Sequence, residues 1–234
     1  MKNDIVYHVE FDLRLKRNPY RGLYIALEGV DGSGKTTQAE ALTRYFEGIG
    51  KTVVQTREPR KAGLIGDLVQ KILTGEQKIP PVALQYLFST DRVINHEEVI
   101  IPSLKAGHVV ISDRSFWSAV VYGVLDRSKG AYDKRLTNML LITQSILSMY
   151  HQFTVPDFTF YLHISLQTAL SRIAGKDDVK EIYEDKGKLA KIIEGYNFLQ
   201  ERFSGEITPV SGERSVAEVT NLLIDIVEKR EKSA

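Results

Sequence analysis

The 234 residues contain no cysteine, which excludes disulfides, thiolate metal sites and a cysteine nucleophile. That absence suits a reducing compartment, and a cytoplasmic location is the expectation. No apolar run approaches the ~20 residues that a bilayer span requires. The first residues also lack the continuous apolar core of a signal peptide, so the chain reads as soluble, with no membrane partner. Neither sign of charge is in excess: 31 basic against 30 acidic side chains leave a formal net of +1. Such a balance exerts no general pull on a polyanion, and nucleic acid is not an expected partner. The five histidines show no ligand spacing, so no protein-held metal cluster is expected. Internal repeats and low-complexity tracts are absent as well.

What is present is alternation. Short runs that are apolar on both faces recur at Leu23–Leu27, Thr52–Thr56, His108–Ser112, Phe158–Ile164 and, more weakly, Glu206–Val210. Such runs suit strands buried between helix layers. Helical periods lie between them, as in Leu42, Tyr45, Phe46 and Ile49, and again over 64–73, 82–95, 134–150, 166–172 and 216–229. Strands alternating with helices predict an α/β domain, a parallel sheet covered on both faces. Charge dominates 171–188, which reads as a mobile surface segment. Residues 1–20 differ: Ile5, Tyr7, Val9, Phe11, Leu13 and Leu15 alternate with mostly polar neighbours. That period of two predicts an added, half-buried strand in an N-terminal extension, ahead of one domain over 21–234.

Gly29-Val30-Asp31-Gly32-Ser33-Gly34-Lys35-Thr36 matches the phosphate-binding pattern G-x-x-x-x-G-K-[ST]. Glycines let successive backbone N–H groups point at phosphate oxygens, and the helix that follows adds its positive end. Lys35 can reach the β- and γ-phosphates, and the Thr36 hydroxyl can sit on Mg²⁺. Chance would produce the fixed letters in roughly one chain of this length per hundred, given glycine at about 7% of residues. ATP with Mg²⁺ is therefore the expected ligand. The loop alone would equally serve a GTPase, a motor or a nucleotide sensor, although no guanine-reading N-K-x-D follows.

Four further stretches narrow the choice: "QTREP" (55–59), "LFSTDR" (87–92), "VVISDRSFWSAVVYG" (109–123) and "VPDFTFYLHI" (155–164). In a parallel sheet the C-terminal strand ends face the ligand crevice, so Arg57, Arg114 and the glycine loop should converge there, joined by Arg92. In this order the set resembles the thymidylate kinase family, from about Tyr24 to Val227. The resemblance implies a P-loop kinase fold on a five-stranded parallel sheet, and transfer of the γ-phosphoryl of MgATP to dTMP to give dTDP. It implies that Phe88 stacks on thymine, Arg92 meets base and acceptor phosphate, Arg114 binds that phosphate or bridges both nucleotides, and Tyr122 walls off the sugar's 2′ side. Arg57, Pro59, Lys61 and Ser118 complete the implied dTMP site. Asp31 would hold the 3′-hydroxyl region and Asp113 would assist Thr36 in the Mg²⁺ shell. Gly29, Asp31, Gly32, Ser33, Gly34, Lys35, Thr36 and Thr37 would hold ATP together with Arg172 and the adenine-edge loop Gly212, Glu213 and Arg214. The resemblance also implies a lid at about 172–188 and a homodimer.

The chain departs from that family pattern in three places. Arg60-Lys61-Ala62 stands where Gly-Gly-Thr is usual, and Ser115 and Ala119 replace residues near the base. The arginine of the loop or lid is missing, with Gly32 in one place and Ile182 in the other. Lys180 is the expected substitute, with Arg60, Lys61, Arg172 and Lys176 as the other donors. Structural roles also remain open: Phe88 as core, Arg57 paired with Glu58, Arg92 paired with Asp91 or Glu98, and Trp117 as packing. Two other functions stay open, a kinase for another nucleoside monophosphate or a deoxynucleoside, and a nucleotide-binding regulatory protein with weak transfer.

Overall fold

A computed structural model describes residues 10, 12, 14–128, 137–150, 152–175 and 181–232. The chain opens on β1 (Leu23–Glu28), α1 (Lys35–Gly48), β2 (Val53–Arg57), α2 (Leu64–Leu73) and α3 (Pro81–Asn95). A five-residue π-helical stretch, His96–Ile100, leads into α4 (Ile101–Ala106), β3 (Val109–Asp113), α5 (Phe116–Ser128) and α6 (Thr137–Met149). The remainder is β4 (Phe158–His163), α7 (Leu166–Ala174), α8 (Lys186–Arg202), β5 (Ile207–Ser211) and α9 (Val216–Glu231). All five predicted strands form, within a residue or two of the predicted bounds.

The sheet is wholly parallel in the order β2-β3-β1-β4-β5. Its central strand is β1, the strand that feeds the glycine loop. Leu27 lies opposite Asp113 in register, so the loop and the Asp113-Arg114 pair leave adjacent strands at the same end. Alternation then distributes the core. Ile25 and Leu27 of β1 join Leu42 and Phe46 of α1 and Leu223 of α9 on one side, while Tyr161 of β4 packs with Trp117 and Tyr196 on another. Phe160 is fully buried, and truncating a residue of that size to alanine costs about 3–5 kcal/mol. Trp117 is buried against Phe116 and Phe203, a packing role.

Among the described residues three α-helices escaped the sequence reading: α4, α5 and α8. The first is short, and α5 is apolar nearly all round, so it shows little amphipathic period. The start of α8 lies inside the stretch read as a charged surface segment. That expectation is corrected at Tyr183, which is buried; periodicity does not reveal a lone aromatic anchor. Most of the predicted N-terminal strand lies outside the described residues. Its described end is tied to the entry of β4: Lys16 bridges Thr154 in parallel, Val155 N donates to Lys16 O at 2.9 Å, and Asn18 Nδ2 donates to Asp157 Oδ2 at 2.7 Å. Among the described residues no helix is long and apolar enough to cross a membrane.

Candidate active site

Between β1 and α1 the chain folds back tightly. Gly29 has a φ of 144°, and a Cβ there would lie 2.7 Å from the Leu162 carbonyl, so only glycine fits. Gly34 precedes α1 in the left-handed region, and no side chain caps the helix. Its first N–H groups therefore face the cleft with their partial positive charge. Lys35 is buried and lays Nζ on the loop's own carbonyls, 3.0 Å from Gly29 O and 3.1 Å from Val30 O, with Asp31 Oδ1 at 3.5 Å. Burial, then the nearby Arg114 charge, lower its pKa. At the other flank Thr36 Oγ1 donates to Asp113 Oδ2 at 2.7 Å.

Arg114 holds the centre. It is the non-glycine residue with a positive φ, 78°, among the described residues, a conformation that costs ~1 kcal/mol or more and clusters at functional sites. Its guanidinium donates to Gly29 O at 3.0 Å, to Tyr196 OH at 2.9 Å and to the Asp31 carboxylate. Beneath it Glu28 is buried and fully engaged, accepting from Ser115 N and Oγ at 2.8 Å each, Ser118 Oγ at 2.6 Å and Tyr196 OH at 2.9 Å. Buried carboxylates persist only when so satisfied. Sequence reasoning missed both Glu28 and Tyr196. An acidic residue ending the apolar run "LYIALE" was a readable signal for Glu28. Tyr196 belongs to the unread α8 and carried none.

Beyond Arg114 the cleft widens to about 800 Å³. All the predicted site residues line it except Gly29, whose carbonyl takes Lys35 and Arg114, Glu213, and Lys180, which lies outside the described residues. Arg92 is buried in an ion pair with Glu58, and its Nη1 donates to Tyr150 OH at 2.9 Å. Asp91 and Glu98 instead take Arg60, at 2.9 and 3.6 Å. The predicted alternatives therefore exchange partners: Glu58 pairs with Arg92 rather than Arg57, and Arg60 is tied down outside the cleft. Arg57 Nε is buried without a hydrogen-bond partner among the described residues, and so is Tyr122 OH. Burial raises the Tyr122 pKa, keeping the phenol neutral. Phe88 packs on the core and lines the cleft as well, so the two readings of it are compatible.

On the loop's far side Arg172 donates to Gly32 O at 3.2 Å and Gly212 O at 2.9 Å. A Cβ at Gly32 would lie 3.0 Å from Ala169 O, so α7 crowds the position where the resemblance expects an arginine. Glu213 turns away from the cleft. Its carboxylate accepts from Ser165 N at 2.7 Å and Thr168 Oγ1 at 2.8 Å, bracing the start of α7. Glu181 and Glu184, not predicted, also line the cleft. Burial and then the Asp31 charge raise the Glu181 pKa.

The family model described as thymidylate kinase matches residues 27–223. A thymidylate kinase of Sulfurihydrogenibium sp. (strain YO3AOP1) is 31% identical over 213 residues, covering 89% of this chain and 98% of its own. A probable thymidylate kinase of Thermococcus kodakarensis is 33% identical over 218 residues, covering 88% and 97%. Among solved structures, thymidylate kinase from Candida albicans aligns with a TM-score of 0.71 over 90% of this chain and 93% of that one. Its 24% identity speaks for the fold alone.

Proposed function

The chain belongs to the thymidylate kinase family, and on that premise we propose that it transfers the γ-phosphoryl group of MgATP to dTMP, giving dTDP and ADP. The observation that carries the reading is a single cleft lined both by the glycine loop and by Arg57, Arg92 and Arg114. One phosphate site suits a nucleotide sensor; two that meet at Arg114 suit transfer between nucleotides. A 5′-phosphate oxygen of dTMP bonds to the γ-phosphorus as the bond from that phosphorus to the bridging oxygen of ATP breaks. The acceptor is already anionic, so alignment and cations do the catalysis and no general base is needed. Lys35 and Arg114 would neutralise the transferring oxygens. Arg57, Arg92 and Lys61 would hold the acceptor phosphate, Phe88 would stack on the base, and Asp31 and Tyr122 would border the sugar. Gly32 to Thr37, Arg172, Gly212 and Arg214 would hold ATP, with Glu213 propping their loop.

Mg²⁺ fits the donors present, since Thr36 and Asp113 offer hard oxygens hydrogen-bonded to each other at 2.7 Å beside the loop. When bound it would neutralise the β- and γ-phosphate oxygens. A cytoplasmic homodimer fits the lack of cysteine and one face of α3. There Val82, Tyr86 and Val93, spaced by four and seven, are 44%, 57% and 44% exposed. The opposite side of that helix carries Phe88 and Arg92, so a second copy would brace the acceptor site. A regulatory role is disfavoured by the same two-sided cleft. Another acceptor is kept in view by Ala119, which lines the cleft without a polar group.

ADP release should be measured with dTMP, dUMP, dGMP, CMP and thymidine as acceptors. A clear preference for dTMP is the expected result. Preference for another acceptor would move the chain to a different kinase specificity, and no transfer to any of them would overturn the kinase reading.

A further inference from the structure

Asp126 of α5 sits where three elements meet. Its Oδ2 accepts from Tyr183 OH at 2.8 Å and from Gln85 Nε2 of α3 at 2.7 Å. The Tyr183 ring is buried and stands edge-on to Tyr122, with centroids 4.9 Å apart and planes at 78°. The same segment is pinned through its backbone: Ile182 N donates to Leu73 O at 3.0 Å, and Ile182 O accepts from Lys188 Nζ at 2.6 Å. Glu181, Tyr183 and Glu184 all face the cleft. Burial raises the Asp126 pKa, so a carboxylate is held here against its solvation. No step of the proposed transfer uses it.

We propose that Asp126 is a positioning residue for the acceptor. Together with Gln85 it clamps Tyr183, and Tyr183 backs Tyr122, the wall against which the acceptor sugar rests. This rests on the dTMP reading of Tyr122. Both hydrogen bonds converge on one oxygen, which gives the proposal a sharp consequence. Asparagine keeps an acceptor oxygen and can keep both bonds, while leucine, with the same branching, keeps neither. A hydrogen bond to a buried charged group contributes about 1.5 kcal/mol, which corresponds to roughly tenfold in half-saturation.

The experiment compares Asp126→Asn, Asp126→Leu and Tyr183→Phe with the natural chain. Asp126→Leu and Tyr183→Phe should raise the dTMP half-saturation about tenfold, with ATP half-saturation changed less than twofold, and Asp126→Asn should stay within about twofold of the natural value. Hydrogen exchange at the Ile182 amide should quicken with leucine and not with asparagine. Tyr183→Phe retains the ring and keeps the test open if the leucine variant fails to fold. Equal loss for both nucleotides, an asparagine variant as impaired as leucine, or unchanged exchange would each overturn the clamp. Exchange needs no substrate. A natural chain that ignores dTMP would therefore overturn the functional reading and leave the clamp to be judged separately.

Discussion

Lys35 and Arg114 donate to the same oxygen: the Gly29 carbonyl takes Lys35 Nζ and Arg114 Nη1, each at 3.0 Å. Two cations from separate sequence motifs are thereby gathered at the first glycine of the loop. Their repulsion is tolerated because Asp31 reaches both. Lys35→Ala removes one charge from the transferring phosphate. Turnover should fall at least a hundredfold at saturating substrates. Retention of more than a tenth of natural turnover would sink the assignment.

Phe88→Ala tests the acceptor side. Stacking on a base contributes ~1–3 kcal/mol, so the dTMP half-saturation should rise roughly 5- to 150-fold while that for ATP barely moves. Equal losses for the two nucleotides would mean that the ring serves only the core.

The donor-side cation is open to an alanine scan. Arg60 is committed to Asp91 and Glu98, so Arg60→Ala should lower stability more than turnover. Arg172→Ala should raise the ATP half-saturation, because its guanidinium joins the loop to Gly212. Lys180→Ala, and the double Lys176/Lys180 variant, should lower turnover with little change in either half-saturation, as for a charge felt only in the transition state. Near-normal turnover throughout, Lys61→Ala included, would show that no such lysine acts.

Glu213 carries a pH signature. The Ser165 backbone N–H first, then the Thr168 hydroxyl, lower its pKa below the ordinary 4.5. A depressed carboxylate contributes stability that is complete above its unfolded value and is lost as pH falls through the folded one. Glu213→Gln should therefore flatten the acid limb of the stability curve below about pH 5. An NMR titration midpoint at or above 4.5 would contradict the brace at α7.

Deleting residues 1–18 removes Asn18, leaving Asp157 Oδ2 with the Tyr24 N–H alone of its two donors. Losing such a bond costs about 1–3 kcal/mol, so the melting temperature should fall by several degrees. An unchanged melting temperature and unchanged oligomer mass would show that the extension contributes nothing.

The strands and the glycine loop were legible because their signals are local. Apolar runs in β1 and β3 bury both faces, and the Gly29–Thr36 spacing is dictated by backbone wrapping around phosphate. The positions of "REP" and "DRSFWS" after β2 and β3 likewise placed Arg57 and Arg114 at one end of the sheet, since parallel strands share a direction, and Arg92 joins them from α3. Partnerships were not legible. Nothing in the sequence neighbourhood of Glu58 says that it takes Arg92 and leaves Arg57 Nε without a partner among the described residues, or that Asp91 claims Arg60. Those choices depend on the separation of α3 from β2, which is set by packing and not by spacing.

The sequence by itself determined the sheet, the phosphate loop and the family, because each follows from short-range patterns of glycine, charge and apolar period. Only the tertiary structure decided how buried charges are neutralised. Glu28 under Arg114, Tyr196 between them, and Asp126 on Tyr183 join residues from 57 to 168 positions apart. A buried polar group must find its partner wherever the fold brings one within 3 Å, and no one-dimensional pattern records that distance.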